Sequence, residues 1–336
     1  MAVKAGALRF NTDSNKLELY DGNQWTQIVA TSPEAQTGGT RGINAGGTAT
    51  NPSPALTNAI DYFNLSSTGN SVSFGTLTSA RRSLMSVSSS TRGVFAGGQT
   101  PTIVSTIDFI TISSTGSAAS FGSLTQARSQ QAGGGISNST RGIFAAGNNP
   151  SNLNVIDYIT IASAGSAVDF GDTSLGNRES VGTCASSTRG LIAGGTTPGV
   201  TQNAIEFLTI STLGNTADFG DLLTGHQQLG GCSNSIRGIF AGGETPASKV
   251  NTIQYVTIAT LGNAIDFGDL TAISSQNPGC ASPTRGVFSG GELSGGPNSN
   301  IIEYVTIMST GNAVDFGDLI TPRRSPTACS NGHGGL

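Results

Sequence analysis

The chain has 336 residues, 48 of them glycine, with charged residues at 11% and a formal net charge of −4 at pH 7. Globular chains average roughly 7% glycine and roughly 25% charge, and an acidic balance argues against a nucleic-acid binder. Hydrophobic residues at 36% are too many for a disordered chain, yet no apolar run nears the ~20 residues of a membrane-spanning helix and MAVKAGALRF has no signal-peptide core.

Residues 1–36 read as a separate β module. Gly6 to Thr12 forms a strand, Asp13-Ser14-Asn15 a turn and Lys16 to Tyr20 a second strand. Asp21-Gly22 turns the chain again, and a third strand starts at Trp25, the only tryptophan.

From residue 37 the chain repeats. An Arg-Gly pair recurs at Arg41, Arg92, Arg141, Arg189, Arg237 and Arg285, in steps of 51, 49, 48, 48 and 48 residues. Each is followed by a glycine-rich loop, then an Ile-acid-aromatic step at Asp61, Asp108, Asp157, Glu206 and Glu303, with Gln254 in the fifth copy. A Phe-Gly marker follows at Phe74, Phe121, Phe170, Phe219, Phe267 and Phe316. Within a unit the apolar period is two, which predicts four short strands such as Leu84 to Ser88, Arg92 to Ala96, Ile107 to Ser113 and Ser117 to Phe121. Four-stranded units of this length are propeller blades. The expected fold is all-β, a six-bladed β-propeller over 37–336.

The innermost strands are rich in small residues, as in Gln131-Ala132-Gly133-Gly134-Gly135 and Leu229-Gly230-Gly231-Cys232. Glycine costs ~0.5–1 kcal/mol of backbone order relative to alanine, so its density here implies close approach between blades. The segment Arg324 to Asn331 copies the inner-strand pattern, whereas the first unit lacks an inner strand of its own. The C-terminal strand is therefore expected to complete the first blade and close the ring.

The Arg-led strand pair, the doublets Gly46-Gly47, Gly97-Gly98, Gly194-Gly195, Gly242-Gly243 and Gly290-Gly291, and the Ile-acid-aromatic step resemble the kelch-type propeller. The third unit departs with Ala146-Gly147, and Phe-Gly stands where kelch units usually carry a tryptophan. Residues 8–25, "LRFNT…NKLELYDGNQW", resemble a short module of tailed-bacteriophage tail fibres and other virion proteins. That resemblance implies attachment to a virion, or oligomerisation as a trimer, through Leu8, Phe10, Tyr20 and Trp25. The other reading is a β-hairpin packed on its own propeller.

Asp-Phe-Gly-Asp at 169–172, 218–221, 266–269 and 315–318 is repeated architecture rather than a kinase motif. Calcium binding by these acids is the rival reading, weakened by Ser73, Thr76, Ser120 and Ser123 in the first two units. Cys184, Cys232, Cys280 and Cys329 share a frame with Val87 and Ile136, which marks an apolar core position. Two histidines, His226 and His333, leave little for a metal cluster or nucleophilic catalysis. No catalytic residue, metal or cofactor is expected.

A second cationic frame, Arg82, Arg128, Arg178 and Arg324 with His226 and Ser274, falls at the inter-blade connections. It shares a face with irregular proline-containing loops that hold Asn149, Asn152 and Lys249. Variable loops on a rigid scaffold around a cationic mouth form a candidate binding site; the alternative is that these arginines hold the blades together. The expectation is a non-enzymatic virion component, tail or tail-fibre associated, with partners among other virion proteins and host-surface glycans or proteins, and no nucleic-acid or membrane partner. A cytoplasmic kelch-type adaptor and a glycan-active enzyme using Asp169 or Glu206 are the alternatives.

Overall fold

A computed structural model describes residues 3–11, 16–27, 40–49, 55–131 and 134–336. The chain divides into two compact units, Met1–Gly39 and Thr40–Leu336. The boundary expected after residue 36, the turn at 13–15 and most of the first proline loop lie outside the described residues. Among those residues every regular element is a strand, and no helix is long and apolar enough to cross a membrane.

The first unit is an antiparallel meander of β1 (Leu8–Asn11), β2 (Lys16–Tyr20) and β3 (Trp25–Gln27). The Asp21 carboxylate accepts the backbone N–H groups of Asn23 (2.7 Å) and Gln24 (2.8 Å), which fixes the tight turn between β2 and β3. Leu8 pairs with Leu19 and Arg9 with Glu18. Leu8 and Phe10 are exposed, while Trp25 lies against Tyr20 at 5.3 Å and under the Arg9 guanidinium at 4.2 Å.

The second unit holds six four-stranded antiparallel sheets. In the second sheet the strands are Met85–Ser88, Arg92–Ala96, Thr106–Thr111 and Ala119–Ser123, here called inner, second, third and outer. The first sheet takes its inner strand, Thr327–Ser330, from the far end of the chain, where Cys329 pairs with Ile43 and Thr327 with Ala45. Inner strands of successive sheets lie side by side, and the last neighbours the first. This all-β arrangement is consistent with a β-propeller-like fold.

In the second sheet only the second strand keeps the limits read from the sequence; the other three shift by one or two residues at one or both ends. The third strand ends at Thr111 and the outer strand begins at Ala119, because residues between them bond to the preceding sheet: Gly116 N–H donates to Phe74 O and Ala118 N–H to Thr76 O. In the third sheet the glycine run precedes the inner strand, which is Ile136–Ser137; Ala132 and Gly133 lie outside the described residues.

The hydrophobic core is distributed among sheet interfaces rather than gathered in one body. Met85, Val87 and Phe121 of the second sheet pack with Phe144 and Ile159 of the third, and Phe63 of the first packs with Val287 and Phe316 of the sixth. All six sheets carry a bulge at the Ile-acid step: Ile107 lies opposite Gly122 and Asp108 opposite Ser120, so Phe121 is the extra residue. Bulges re-aim side chains; here the buried phenylalanine meets the third-strand aromatic edge-on, as in Phe109–Phe121 at 5.8 Å.

The Arg-Gly pair has two separate tasks. Each arginine stacks on the third-strand aromatic of its own sheet, 4.4–4.9 Å away. It also donates to a backbone carbonyl of the next sheet, Arg41 to Ile112 (2.9 Å) through to Arg285 to Leu65 (3.1 Å), which returns to the first. Outside the first sheet the glycine makes room for the preceding sheet's inner strand: a Cβ on Gly238 would lie 2.5 Å from Cys184 Sγ. The four cysteines are free and buried, and burial pushes the Cys232 and Cys329 thiols up to about 12.

Candidate binding site

The connections between sheets carry two adjacent frames, a mainly cationic one and a mixed one. Arg81, Arg128, Arg178 and Arg323 form the first, and all are buried. Each bonds the acid of the following sheet's Ile-acid-aromatic step: Arg81–Asp108 at 2.6 Å, Arg128–Asp157 at 2.8 Å, Arg178–Glu206 at 2.6 Å and Arg323–Asp61 at 2.5 Å. Asp108, Asp157 and Glu206 also accept N–H groups from turns of the preceding sheet, as Asp157 does from Thr125 at 3.1 Å, whereas beside Asp61 the equivalent Ile320 N–H donates to Ser71 Oγ; each pair staples two sheets. Burial pulls these guanidinium groups below their usual range, and the adjacent carboxylates oppose that shift. Arg128 and Arg178 therefore do not line a surface mouth.

The fifth and sixth sheets vary this staple. His226 occupies the arginine position where Gln254 replaces the acid; burial lowers the His226 pKa and its Nδ1 lies 2.9 Å from Thr224 O, while Gln254 Oε1 accepts Leu223 N–H at 2.8 Å. Ser274 occupies it opposite Glu303, which is 5% exposed and accepts Thr271 N–H at 2.6 Å. Burial raises the Glu303 carboxyl above its ordinary value of 4.5. A raised acid is more protonated in the folded chain, so its contribution to stability falls as pH rises through 4.5 toward the folded value. Glu303→Gln is expected to raise the urea midpoint at pH 7 and to match wild type below pH 4.5; an equal or lower midpoint at pH 7 refutes this account.

The second frame is one residue on, at Arg82, Ser129, Glu179, Gln227, Ser275 and Arg324. These residues form antiparallel backbone bridges to the first residues of the proline-containing loops, including Arg82 to Gln99, Ser129 to Asn148, Glu179 to Thr196 and Arg324 to Thr48. One position further, Ser83, Ser180, Gln228, Gln276 and Ser325 all have φ of 51–60°. Side chains rarely adopt this left-handed conformation, which persists where surroundings enforce it. Here Ser325 O accepts Ser83 N–H, Ser83 O accepts Gln130 N–H, and Gln228 O accepts Gln276 N–H.

This mouth has mixed charge rather than the expected cationic character. Arg324 bonds Glu292 at 3.2 Å, and Lys249 lies 3.2 Å from Glu292 and 3.9 Å from Glu244. Glu179 adds a half-buried carboxyl whose pKa burial raises. Asn149 and Asn152 brace loops through Ala127 O (2.8 Å) and Thr196 O (2.7 Å). A polar depression of about 380 Å³ brings together Arg82, Gln99, Asn148, Gln276 and Arg324, with Ile103 and Pro150 as its larger apolar residues. A second, of about 390 Å³, shares Arg82, Gln99 and Arg324 and extends toward Thr48 and Leu56.

A narrow space of about 50 Å³ touches all six inner strands. Residues 331–336 cross it, a feature that the repeat pattern does not reveal. Asn331 Oδ1 accepts Arg41 N–H at 2.7 Å, His333 Nε2 lies 2.9 Å from Ser88 O, and Gly334 N–H donates to Ser233 O at 2.9 Å. Burial lowers the His333 pKa. In Asp-Phe-Gly-Asp the phenylalanine is core and the first aspartate exposed, while the second receives an asparagine brace, as Asp318 N–H does from Asn70 at 3.0 Å. Among the described residues no group of three or more His, Cys, Asp or Glu side chains is placed to hold a metal ion.

No known protein-family model matches the chain, and no curated protein sequence is significantly similar to it.

Proposed function

We propose that the chain is a non-enzymatic binding component of a tailed-phage virion. In this reading Thr40–Leu336 is a six-bladed kelch-like β-propeller closed by Thr327–Ser330, and the N-terminal meander attaches it to other virion proteins or to copies of itself as a trimer. The propeller's loop face then contacts a host-surface glycan or protein. The observation that carries the binding role is the pair of depressions, one polar and one mixed, that share Arg82, Gln99 and Arg324 on a mouth braced from loop to loop. Rigid mouths of this kind limit the entropy lost on binding. The virion assignment is supported by the tail-fibre-like string at residues 8–25, whose Leu8 and Phe10 are exposed.

Mass spectrometry of gradient-purified virions tests the assignment. The protein is expected at fixed copy number relative to the major capsid protein, and its absence from particles carrying their tails overturns the reading. Purified protein is also expected to bind host cells and to compete with virions for adsorption.

A further inference from the structure

We propose that Arg82 anchors a site for an acidic saccharide, a sugar bearing a carboxylate, on the mouth between the first and second sheets. This inference rests on the binding role proposed above and names its ligand class.

Twelve of the thirteen arginines have an aromatic or a carboxylate partner. Six stack on third-strand aromatics and Arg9 stacks on Trp25. Arg81, Arg128, Arg178, Arg323 and Arg324 each bond a carboxylate. Arg82 has neither kind of partner among the described residues. Its Nε and Nη2 both donate to one neutral acceptor, Gln99 Oε1, at 3.2 and 3.0 Å. That bond orients the fork, while three of a guanidinium's five donors remain for an oxyanion.

The surroundings select among anions. Gln99, Asn148, Gln276 and Ser129 line the same depression as Arg82. Amides and hydroxyls offer donors and acceptors together, the requirement for binding sugar hydroxyls, whereas a bare sulfate or phosphate uses donors alone. Among the described residues the large apolar side chains that anchor a docked peptide are scarce in the depression, and no aromatic side chain lines it. Arg324, half-compensated by Glu292 at 3.2 Å, adds positive potential without closing on Arg82 as a partner.

The test is isothermal titration of the full chain with D-glucuronate oligomers, with neutral glucose oligomers, with inorganic sulfate and with an oligoglutamate peptide. Glucuronate oligomers are expected to bind most tightly, with affinity falling as salt rises. Arg82→Gln is expected to weaken that binding about tenfold or more, while Arg82→Lys retains part of it and Arg9→Gln, in the other unit, none of the loss. Circular dichroism melts matched to wild type exclude misfolding. Equal affinity for neutral and acidic oligomers, preference for sulfate or the peptide, or full affinity in Arg82→Gln each overturns the inference. Host-cell binding that survives Arg82→Gln overturns the inference alone, whereas failure of the wild-type protein to bind cells overturns the parent reading.

Discussion

Asp157→Ala is expected to cost about 3–5 kcal/mol of stability, since it leaves the Arg128 guanidinium buried without its counter-charge. Arg128 is 0% exposed and its other side-chain bonds are to the carbonyls of Phe144 (3.0 Å) and Gln126 (3.4 Å), neither of which neutralises it. Asp157 also accepts Thr125 N–H and Oγ1–H, so its loss frees the turn of the preceding sheet. The double change Arg128→His with Asp157→Gln copies the neutral residues of the fifth sheet and is expected to recover most of the loss. Urea midpoints of the wild type and the two variants decide the matter. A cost below about 1 kcal/mol for Asp157→Ala, the range of exposed pairs, shows that the pair does not staple the sheets.

Removal of residues 327–336 is expected to be more damaging still. The first sheet then loses its inner strand, and Ile43 and Ala45, both 0% exposed, lose the backbone that covers them. Ser86 Oγ–H and Ser88 Oγ–H, which donate to the carbonyls of Ala328 (2.7 Å) and Ser330 (2.8 Å), lose their acceptors as well. The unpaired edge of Arg41–Ala45 becomes a template for another chain. The truncated protein is expected to associate in a concentration-dependent way and to be cleaved within residues 40–80 by low protease. Adding a peptide of the missing strand should reverse both effects. A monomeric, protease-resistant truncation contradicts the structural role given to this strand.

The repeat frame was legible because its markers recur with the same jobs: the arginine reaches the next sheet's carbonyl, the phenylalanine fills an interface, and the glycine after the arginine admits a side chain of the preceding sheet everywhere but in the first sheet, where Gly42 makes room for Phe63 of its own sheet. Pairing of the C-terminal strand with the first unit followed from the same count. The candidate mouth was less legible. Arg81 and Arg82 are adjacent, as are Arg323 and Arg324, and a one-residue slip exchanges the buried side for the solvent side. The sequence frame therefore mixed Arg82 and Arg324, at the mouth, with Arg128 and Arg178, in the core. A clue was present in the third strands, where the single neutral residue, Gln254, coincides with the replacement of arginine by His226. The Glu292 and Glu244 carboxylates that balance the mouth stand in the same frame as Thr48, Gln99, Asn148 and Thr196, so the repeat gives their position while the changing residue type hides the charge. Residues 331–336 depart from the repeat, so only the folded chain shows what they cross.

The strand that completes the first sheet is synthesised long after the strand it pairs with. Arg41–Ala45 leaves the ribosome some 280 residues before Thr327–Ser330 can pair with it, and at ~5–20 residues per second that interval lasts from ~14 to ~56 seconds. Throughout it the nascent first sheet holds an open edge beside already paired neighbours. Contacts of such long sequence separation are slow to form because loop closure precedes their reward. A circular permutant opened between Ser66 and Gly69 brings Thr327–Ser330 much nearer to Arg41–Ala45 in sequence and passes the long wait to the outer strand Val72–Thr76, whose partner Ala59–Asn64 is then made late.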